Sequence, residues 1–262
     1  MKISCIQMDM RFGEADYNFA HAEELIRAAA AAEHPDVAVL PETWNTGFFP
    51  KDLALCADKD GARTRAVFSA LAKELNINIV CGSVANHRAE GVYNTAYVFS
   101  RTGEIAAEYD KTHLFTPSGE HEYFCPGRHT CRFDLDGRRC GLIICYDIRF
   151  PELIRTMTLE GVDLLFVAAQ WPGRRTMHLE TLARARAIEN QMFLALCNSA
   201  GASEETRCGG RSAIIDPWGE YLARAGDGEE IITGKLDFSV IEGIRSSINV
   251  FRDRRPELYR IH

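Results

Sequence analysis

The sequence predicts a single α/β domain in which helices cover β-sheets, and three observations carry that reading. Short apolar runs recur along the 262 residues, at 3–8, 37–40, 77–84, 142–144, 162–169 and 192–197, each with the length of a buried strand. Between them lie stretches with helical spacing. Ala22, Ile26 and Ala29 share one face of 18–32, and Val67, Ala70, Leu71 and Leu75 share one face of a segment ending at Leu75. No linker, internal repeat or low-complexity segment interrupts the alternation, so one domain spans 1–262.

Taken in order, the strand at 3–8 leads into the alanine-rich helix 18–32, and the Pro35-Asp36 turn into the strand 37–40, which stops at Pro41-Glu42. Asp60 or Thr64 is placed to cap the next helix. The strand 77–84 follows, then a hairpin of 92–100 with 104–109 across Arg101-Thr102-Gly103. Residues 111–127, with Pro, Ser and Gly, read as a long ordered loop. Asp136-Gly137 marks a hairpin between 130–135 and 138–145. Pro151 opens a helix that ends at Gly161. After the strand 162–169, Trp171-Pro172-Gly173 turns into a helix over 176–190. The strand 192–197, a pairing of 211–216 with 221–225 across Pro217-Trp218-Gly219, a strand at 231–236 and a short helix at 240–245 complete the domain. The tail 250–262 is polar and rich in arginine.

Composition sets limits on function. The chain is 46% hydrophobic and 26% charged, with a net charge of −7, which suits an ordinary globular protein and disfavours nucleic acid or an anionic membrane as a partner. An anionic small substrate would need a local arginine cluster working against that field. The N-terminus enters a strand pattern directly, unlike a signal peptide, and no apolar run is long enough to span a bilayer. The nine cysteines are odd in number and include no CxxC pair, so they suggest neither a disulfide framework nor a zinc site. A reducing, cytoplasmic setting is the simplest.

Three reactive side chains stand directly after strands: Glu42, Lys111 and Cys145. Ligand crevices of α/β sheets lie at the carboxyl ends of strands, so the three can converge. Their chemistry fits together. A thiol must lose its proton to attack, Glu42 can take it, and Lys111 can hold the pair and donate to a developing oxyanion. Taken singly, each has a plainer explanation: a buried small hydrophobe for Cys145, a cap for Glu42, a surface ion pair for Lys111.

The local sequences settle the balance. Leu40-Pro41-Glu42, Tyr109-Asp110-Lys111-Thr112-His113-Leu114-Phe115 and Cys145-Tyr146-Asp147-Ile148-Arg149-Phe150-Pro151-Glu152 resemble, in that order, the blocks of the nitrilase superfamily of carbon–nitrogen hydrolases. The resemblance continues through Arg184-Ala185-Arg186-Ala187-Ile188-Glu189-Asn190-Gln191 and Asp216-Pro217-Trp218-Gly219-Glu220 into the tail, and so covers nearly the whole chain. It implies a four-layer α-β-β-α sandwich and a triad of Glu42, Lys111 and Cys145. It also implies a second glutamate ahead of Pro126-Gly127, for which Glu120 fits the spacing better than Glu122. It implies a homodimer or higher homo-oligomer too, with the tail crossing to the partner. No metal and no organic cofactor is expected. His113 and His121 read as structural or loop residues.

The implied reaction is amide hydrolysis through a thioester on Cys145, with Lys111 and the backbone N–H of Tyr146 holding the oxyanion. Within the family the chain is similar to the bacterial ω-amidases, which hydrolyse the terminal amide of 2-oxoglutaramate and 2-oxosuccinamate. Trp44-Asn45-Thr46-Gly47 and Gln170-Trp171-Pro172-Gly173-Arg174-Arg175 carry that likeness. Such a substrate presents a carboxylate, for which Arg175 is the first choice of anchor, with Arg174 and Arg149 as alternatives. Arg149 has a second reading, as a brace for Glu152 or Asp147. Trp44, Phe48 and Trp171 either wall a small pocket or belong to the core. The chain departs from the branch where Arg174 replaces a proline and Met177 precedes His178. Other readings are an amidase for deaminated glutathione, an N-carbamoyl amino acid hydrolase or a non-catalytic interaction module. A nitrilase fits least, because Cys145-Tyr146-Asp147 stands where nitrilases have Cys-Trp-Glu.

Overall fold

The computed structural model describes residues 1–48, 50–203 and 206–259. β1 (Lys2–Gln7), α1 (Ala15–Glu33) and β2 (Val37–Val39) come first. A single helical turn, α2 (Leu53–Cys56), and a two-residue strand, β3 (Asp58–Lys59), lead to α3 (Ala62–Leu75). The meander β4 (Asn78–Arg88), β5 (Gly91–Phe99) and β6 (Ile105–Asp110) follows. Next are β7 (Arg132–Leu135), β8 (Arg138–Ile144), α4 (Pro151–Leu159), β9 (Leu164–Ala169), α5 (Thr176–Asn190) and β10 (Phe193–Asn198). A small hairpin, β11 (Ala202–Ser203) with β12 (Thr206–Arg207), precedes β13 (Ala213–Ile215), β14 (Tyr221–Arg224), β15 (Glu230–Lys235) and α6 (Val240–Ser247).

Among the described residues the strands form two large sheets. One runs β15-β1-β2-β4-β5-β6 with β3 beside β4, and the other runs β14-β13-β10-β9-β8-β7. Period-2 alternation shows how they stack. Ile3, Cys5, Val37, Val39, Ala96 and Val98 face inward and share one core with Leu142, Ile144, Leu165 and Val167 of the second sheet. The intervening Ala38, Tyr97 and Phe99 face outward onto α1 and α3, where Phe19, Ile26, Phe68 and Leu71 cover them. On the far side, Ile154 and Met157 of α4 and Leu179, Ala183 and Ala187 of α5 cover the second sheet. Both faces of the central strands of each sheet are therefore buried, and the architecture is the four-layer α-β-β-α sandwich.

Several local expectations change. β4 runs on to Arg88 and pairs with β5 across Ala89-Glu90, with a register shift between Val80 and Ser83. Neither Asp60 nor Thr64 caps α3. The carboxylate of Asp58 accepts from the N–H groups of Arg63 and Thr64 at 3.1 and 2.8 Å, reaching over the left-handed Gly61. Trp44 is fully buried in the outer core, edge-on to Phe19 and Phe68 at 4.8 and 5.3 Å, and its indole N–H donates to the Cys81 carbonyl at 2.7 Å. It belongs to the core and not to a pocket wall. Trp44→Ala is expected to cost about 3–5 kcal/mol of stability, read from urea unfolding. The start of the tail packs on its own chain, with Phe251 between the guanidinium groups of Arg155 and Arg245 at 5.3 and 5.2 Å. Residues 260–262 lie outside the described residues.

Candidate active site

β2, β4 and β6 point the same way in the first sheet, and β8, β9 and β10 do so in the second. Glu42 follows β2, Lys111 follows β6 and Cys145 follows β8, so three strand ends meet at one edge of the sandwich. Two glycines allow the close backbone approaches beside them. A Cβ on Gly82 would lie 1.9 Å from the Pro41 carbonyl, and one on Gly127 would lie 2.0 Å from the Asp110 carbonyl. Gly82→Ala is expected to displace Glu42 and lower turnover by about tenfold or more, measured beside a melting curve.

The Lys111 amine is fully buried and pairs with Glu42 Oε1 at 2.8 Å and with both oxygens of Glu120 at 2.8 and 2.9 Å. Glu122, the competing choice, is exposed. The other oxygen of Glu42 accepts from the Gln170 N–H at 2.8 Å, and the same carboxylate acts on the buried Cys145 thiol. Burial works against the charge on Lys111, but the carboxylates of Glu42 and Glu120 overcome it and hold its pKa above the ordinary lysine value. Burial, helped by Glu42, pushes the Cys145 thiol well above its usual range, with Lys111 opposing. Glu120 is likewise raised by burial, against the pull of Lys111. Burial and the Glu42 carboxylate thus both favour the protonated form of the Cys145 side chain.

Cys145 opens a short 3-10 turn with φ of 46°, a left-handed backbone that a side chain other than glycine seldom takes. That corner presents Sγ to a cavity of about 200 Å³ which Lys111 and Gln170 also line. Phe48, Phe115 and Trp171 form apolar walls. Arg149, Arg174 and Arg175 line it too, and among the described residues none of the three has a carboxylate within salt-bridge distance. The Arg175 guanidinium sits 5.0 Å from the Phe115 ring centre. Its pKa is lowered by partial burial and by its neighbours Arg174 and Arg149. Arg149 braces neither Glu152 nor Asp147. It lies over Trp171 at 4.7 Å and contacts His178 Nδ1 at 3.3 Å. Arg174 is exposed. His121 is exposed as well, whereas His113 is half-buried against Asp147.

Two residues of the site escaped sequence reasoning. Asn94 donates to Glu42 Oε1 at 2.9 Å and to Glu120 Oε1 at 3.4 Å, linking the two carboxylates. Its signal was the polar pair Asn94-Thr95 in the middle of an otherwise strand-like run. Gln170 acts through its backbone, which no side-chain pattern reveals.

The profile of the family described as carbon-nitrogen hydrolase matches residues 2–246. The chain is 43% identical over 257 residues to a protein named 2-oxoglutaramate amidase from Bacillus subtilis (strain 168), covering 98% of each. It is 33% identical over 273 residues to the human omega-amidase NIT2, covering 99% of this chain and 97% of the relative. The crystal structure of a CN-hydrolase superfamily protein from Xanthomonas campestris, with an arsenic adduct in its active site, superposes with a TM-score of 0.91 at 28% identity, over 100% of this chain and 99% of that one. Sequence profile, full-length relatives and sandwich agree from end to end: the chain belongs to the carbon–nitrogen hydrolase family of the nitrilase superfamily and is a hydrolase of amide-type carbon–nitrogen bonds.

Proposed function

We propose that the protein is an ω-amidase that converts a short 2-oxo acid monoamide, 2-oxoglutaramate or 2-oxosuccinamate, to the dicarboxylic acid and ammonia. The observation that carries this reading is one small cavity joining the Cys145 thiol to guanidinium groups without carboxylate partners among the described residues. The names of the relatives agree with it.

The proposed steps are supported by the clustering of Glu42, Lys111 and Glu120 at the cavity that Cys145 lines. Cys145 Sγ attacks the amide carbonyl carbon as Glu42 takes the thiol proton. Lys111 Nζ and the Tyr146 N–H hold the oxyanion. Glu42 returns its proton to the nitrogen, the C–N bond breaks and ammonia leaves a thioester on Cys145. Glu42 then takes a proton from water, whose oxygen attacks the thioester. The C–S bond breaks, the acid departs and the thiol is restored. Glu120 holds the Lys111 amine in place throughout.

Arg175, which lines the same cavity as Phe115 and Cys145, is the proposed anchor for the substrate carboxylate. Arg175→Ala is expected to raise KM for 2-oxoglutaramate about thirtyfold or more while changing kcat less. The exposed Arg174, changed to alanine, should shift KM by only about threefold. The same cationic lining should disfavour glutamine, whose 2-ammonium group carries like charge.

The deciding experiment measures ammonia release from 2-oxoglutaramate, glutamine, deaminated glutathione, N-carbamoyl amino acids and a simple nitrile. Preferred turnover of 2-oxoglutaramate supports the assignment. Turnover of another amide alone would keep the chemistry and overturn the substrate. We also read the protein as a cytoplasmic homodimer, on the odd number and scattered spacing of its cysteines and the family resemblance of its tail, and light scattering on the purified protein tests the dimer.

A further inference from the structure

Asp147 has no assigned part in the reaction, yet it is fully buried and receives five hydrogen bonds. Oδ2 accepts from the Tyr109 hydroxyl at 2.8 Å and from the Ile144 N–H at 3.0 Å. Oδ1 accepts from the His113 N–H at 3.0 Å, His113 Nδ1 at 2.8 Å and the Thr112 hydroxyl at 3.1 Å. Tyr109, Thr112 and His113 flank Lys111, and Ile144 directly precedes Cys145. One carboxylate therefore spans two chain segments that belong to different sheets.

We propose that Asp147 is a positioning residue that ties the strand end carrying Lys111 to the turn carrying Cys145, and so fixes the separation of amine and thiol. This rests on the catalytic reading of those two residues. A carboxylate suits the place because every partner can donate and none needs a donor in return. The turn closes on itself as well: the Phe150 N–H donates to the Asp147 carbonyl at 3.0 Å, and the Phe150 ring stacks on the His113 ring at 3.7 Å. The left-handed Cys145 needs such over-determination, since an unfavoured backbone persists only where its surroundings hold it.

Asparagine has the same shape but cannot do this job. Its single oxygen can serve the Ile144 N–H or the His113 N–H, and its amide group then faces the other N–H donor to donor. Hydroxyls and an imidazole can turn to accept, but a backbone N–H cannot. Asp147→Asn thus breaks the link to one segment or the other. Misplacement of a reacting group by about 1 Å can cost roughly a hundredfold in rate. None of the Asp147 side-chain partners is one of the three cavity arginines, so ground-state binding should survive.

The test is steady-state kinetics on 2-oxoglutaramate with Asp147→Asn, together with the rate of iodoacetamide labelling of the Cys145 peptide and a melting curve. The expected result is a kcat lowered about a hundredfold, a KM within about threefold of wild type and slower labelling, in a protein that still unfolds cooperatively. A folded variant with wild-type kcat, or a loss expressed wholly in KM, would overturn the proposal. If that variant does not fold, the pair Tyr109→Phe with Thr112→Val removes two of the links while sparing both backbone bonds. It should lower kcat about tenfold at unchanged KM, and an unchanged kcat overturns the proposal. Wild type and Cys145→Ala run alongside. Turnover surviving in Cys145→Ala would defeat the catalytic reading itself, whereas loss there beside a normal Asp147→Asn defeats only the positioning role.

Discussion

Replacing Cys145 with alanine is expected to lower ammonia release from 2-oxoglutaramate by about 10⁴-fold or more, because it removes the proposed nucleophile from the cavity that Lys111 also lines. The substitution removes a thiol from a site whose binding groups lie elsewhere, so the alanine variant should still bind substrate. Isothermal titration on the variant checks this, and binding without turnover is the expected pair of outcomes. The state of the thiol adds a second test. Burial and the Glu42 carboxylate hold it protonated well above the usual cysteine range. A raised pKa means that the thiolate is scarce at neutral pH and accumulates only as pH rises. Labelling of the Cys145 peptide by iodoacetamide should therefore still be climbing at pH values where an ordinary thiol has levelled off. A plateau near neutrality would show a preformed thiolate and would remove Glu42 from the role of base.

Lys111→Met is the other large effect, and it acts on stability as well as rate. In the wild type one buried ammonium is shared by two buried carboxylates. Without it, Glu42 and Glu120 are left uncompensated around the Asn94 amide. Removing one partner of a buried ion pair costs about 3–5 kcal/mol. Loss of an oxyanion donor should also lower kcat about a hundredfold or more. The pH dependence has a definite sign. The folded-state pKa of Lys111 is raised, so its contribution is complete at every pH below its ordinary value near 10.5 and is lost only as pH rises through the folded value. In the variant Glu120 has lost the ammonium that opposed the effect of its burial, so stability is greatest in acid and falls as pH rises. Glu120 already leans that way through burial. The stability gap between variant and wild type should therefore be narrower at pH 5 than at pH 8 in urea unfolding. A gap independent of pH would sink this account of the cluster.

Much of this architecture was legible in the sequence. Apolar runs located the central strands because both faces of those strands are buried, which makes them conspicuous. The helix over 176–190 was read to its ends because the Trp171-Pro172-Gly173 turn precedes it and the apolar run 192–197 follows it. Residues 53–59 were not read at all, since a four-residue helix and a two-residue strand carry no periodic signal. The cap of α3 was misplaced because its donor groups are served by Asp58, upstream of a glycine turn. At the site, Glu42, Lys111 and Cys145 were visible as reactive residues at strand ends. Trp44 was not separable from a pocket wall, because an indole two residues after Glu42 can point to either side of the sheet. The structure turns it outward, under α1 and α3. Asn94 and the backbone of Gln170 were hidden because their importance lies in which sheet edge they reach, and neighbours in sequence say little about that.

The placement of Glu42 and Lys111 on one sheet and Cys145 on the other has a consequence for how the protein comes alive. Helices and hairpins can form from contacts near in sequence, but a competent site requires residues 42 and 111 to meet residue 145 across the closed seam of the sandwich. Pairings so distant along the chain form late. Turnover should consequently be the last signal to return on refolding, lagging behind far-ultraviolet ellipticity. A newly made chain would hydrolyse nothing until both sheets had come together, which keeps its reactive thiol idle while the rest of the molecule is still exposed.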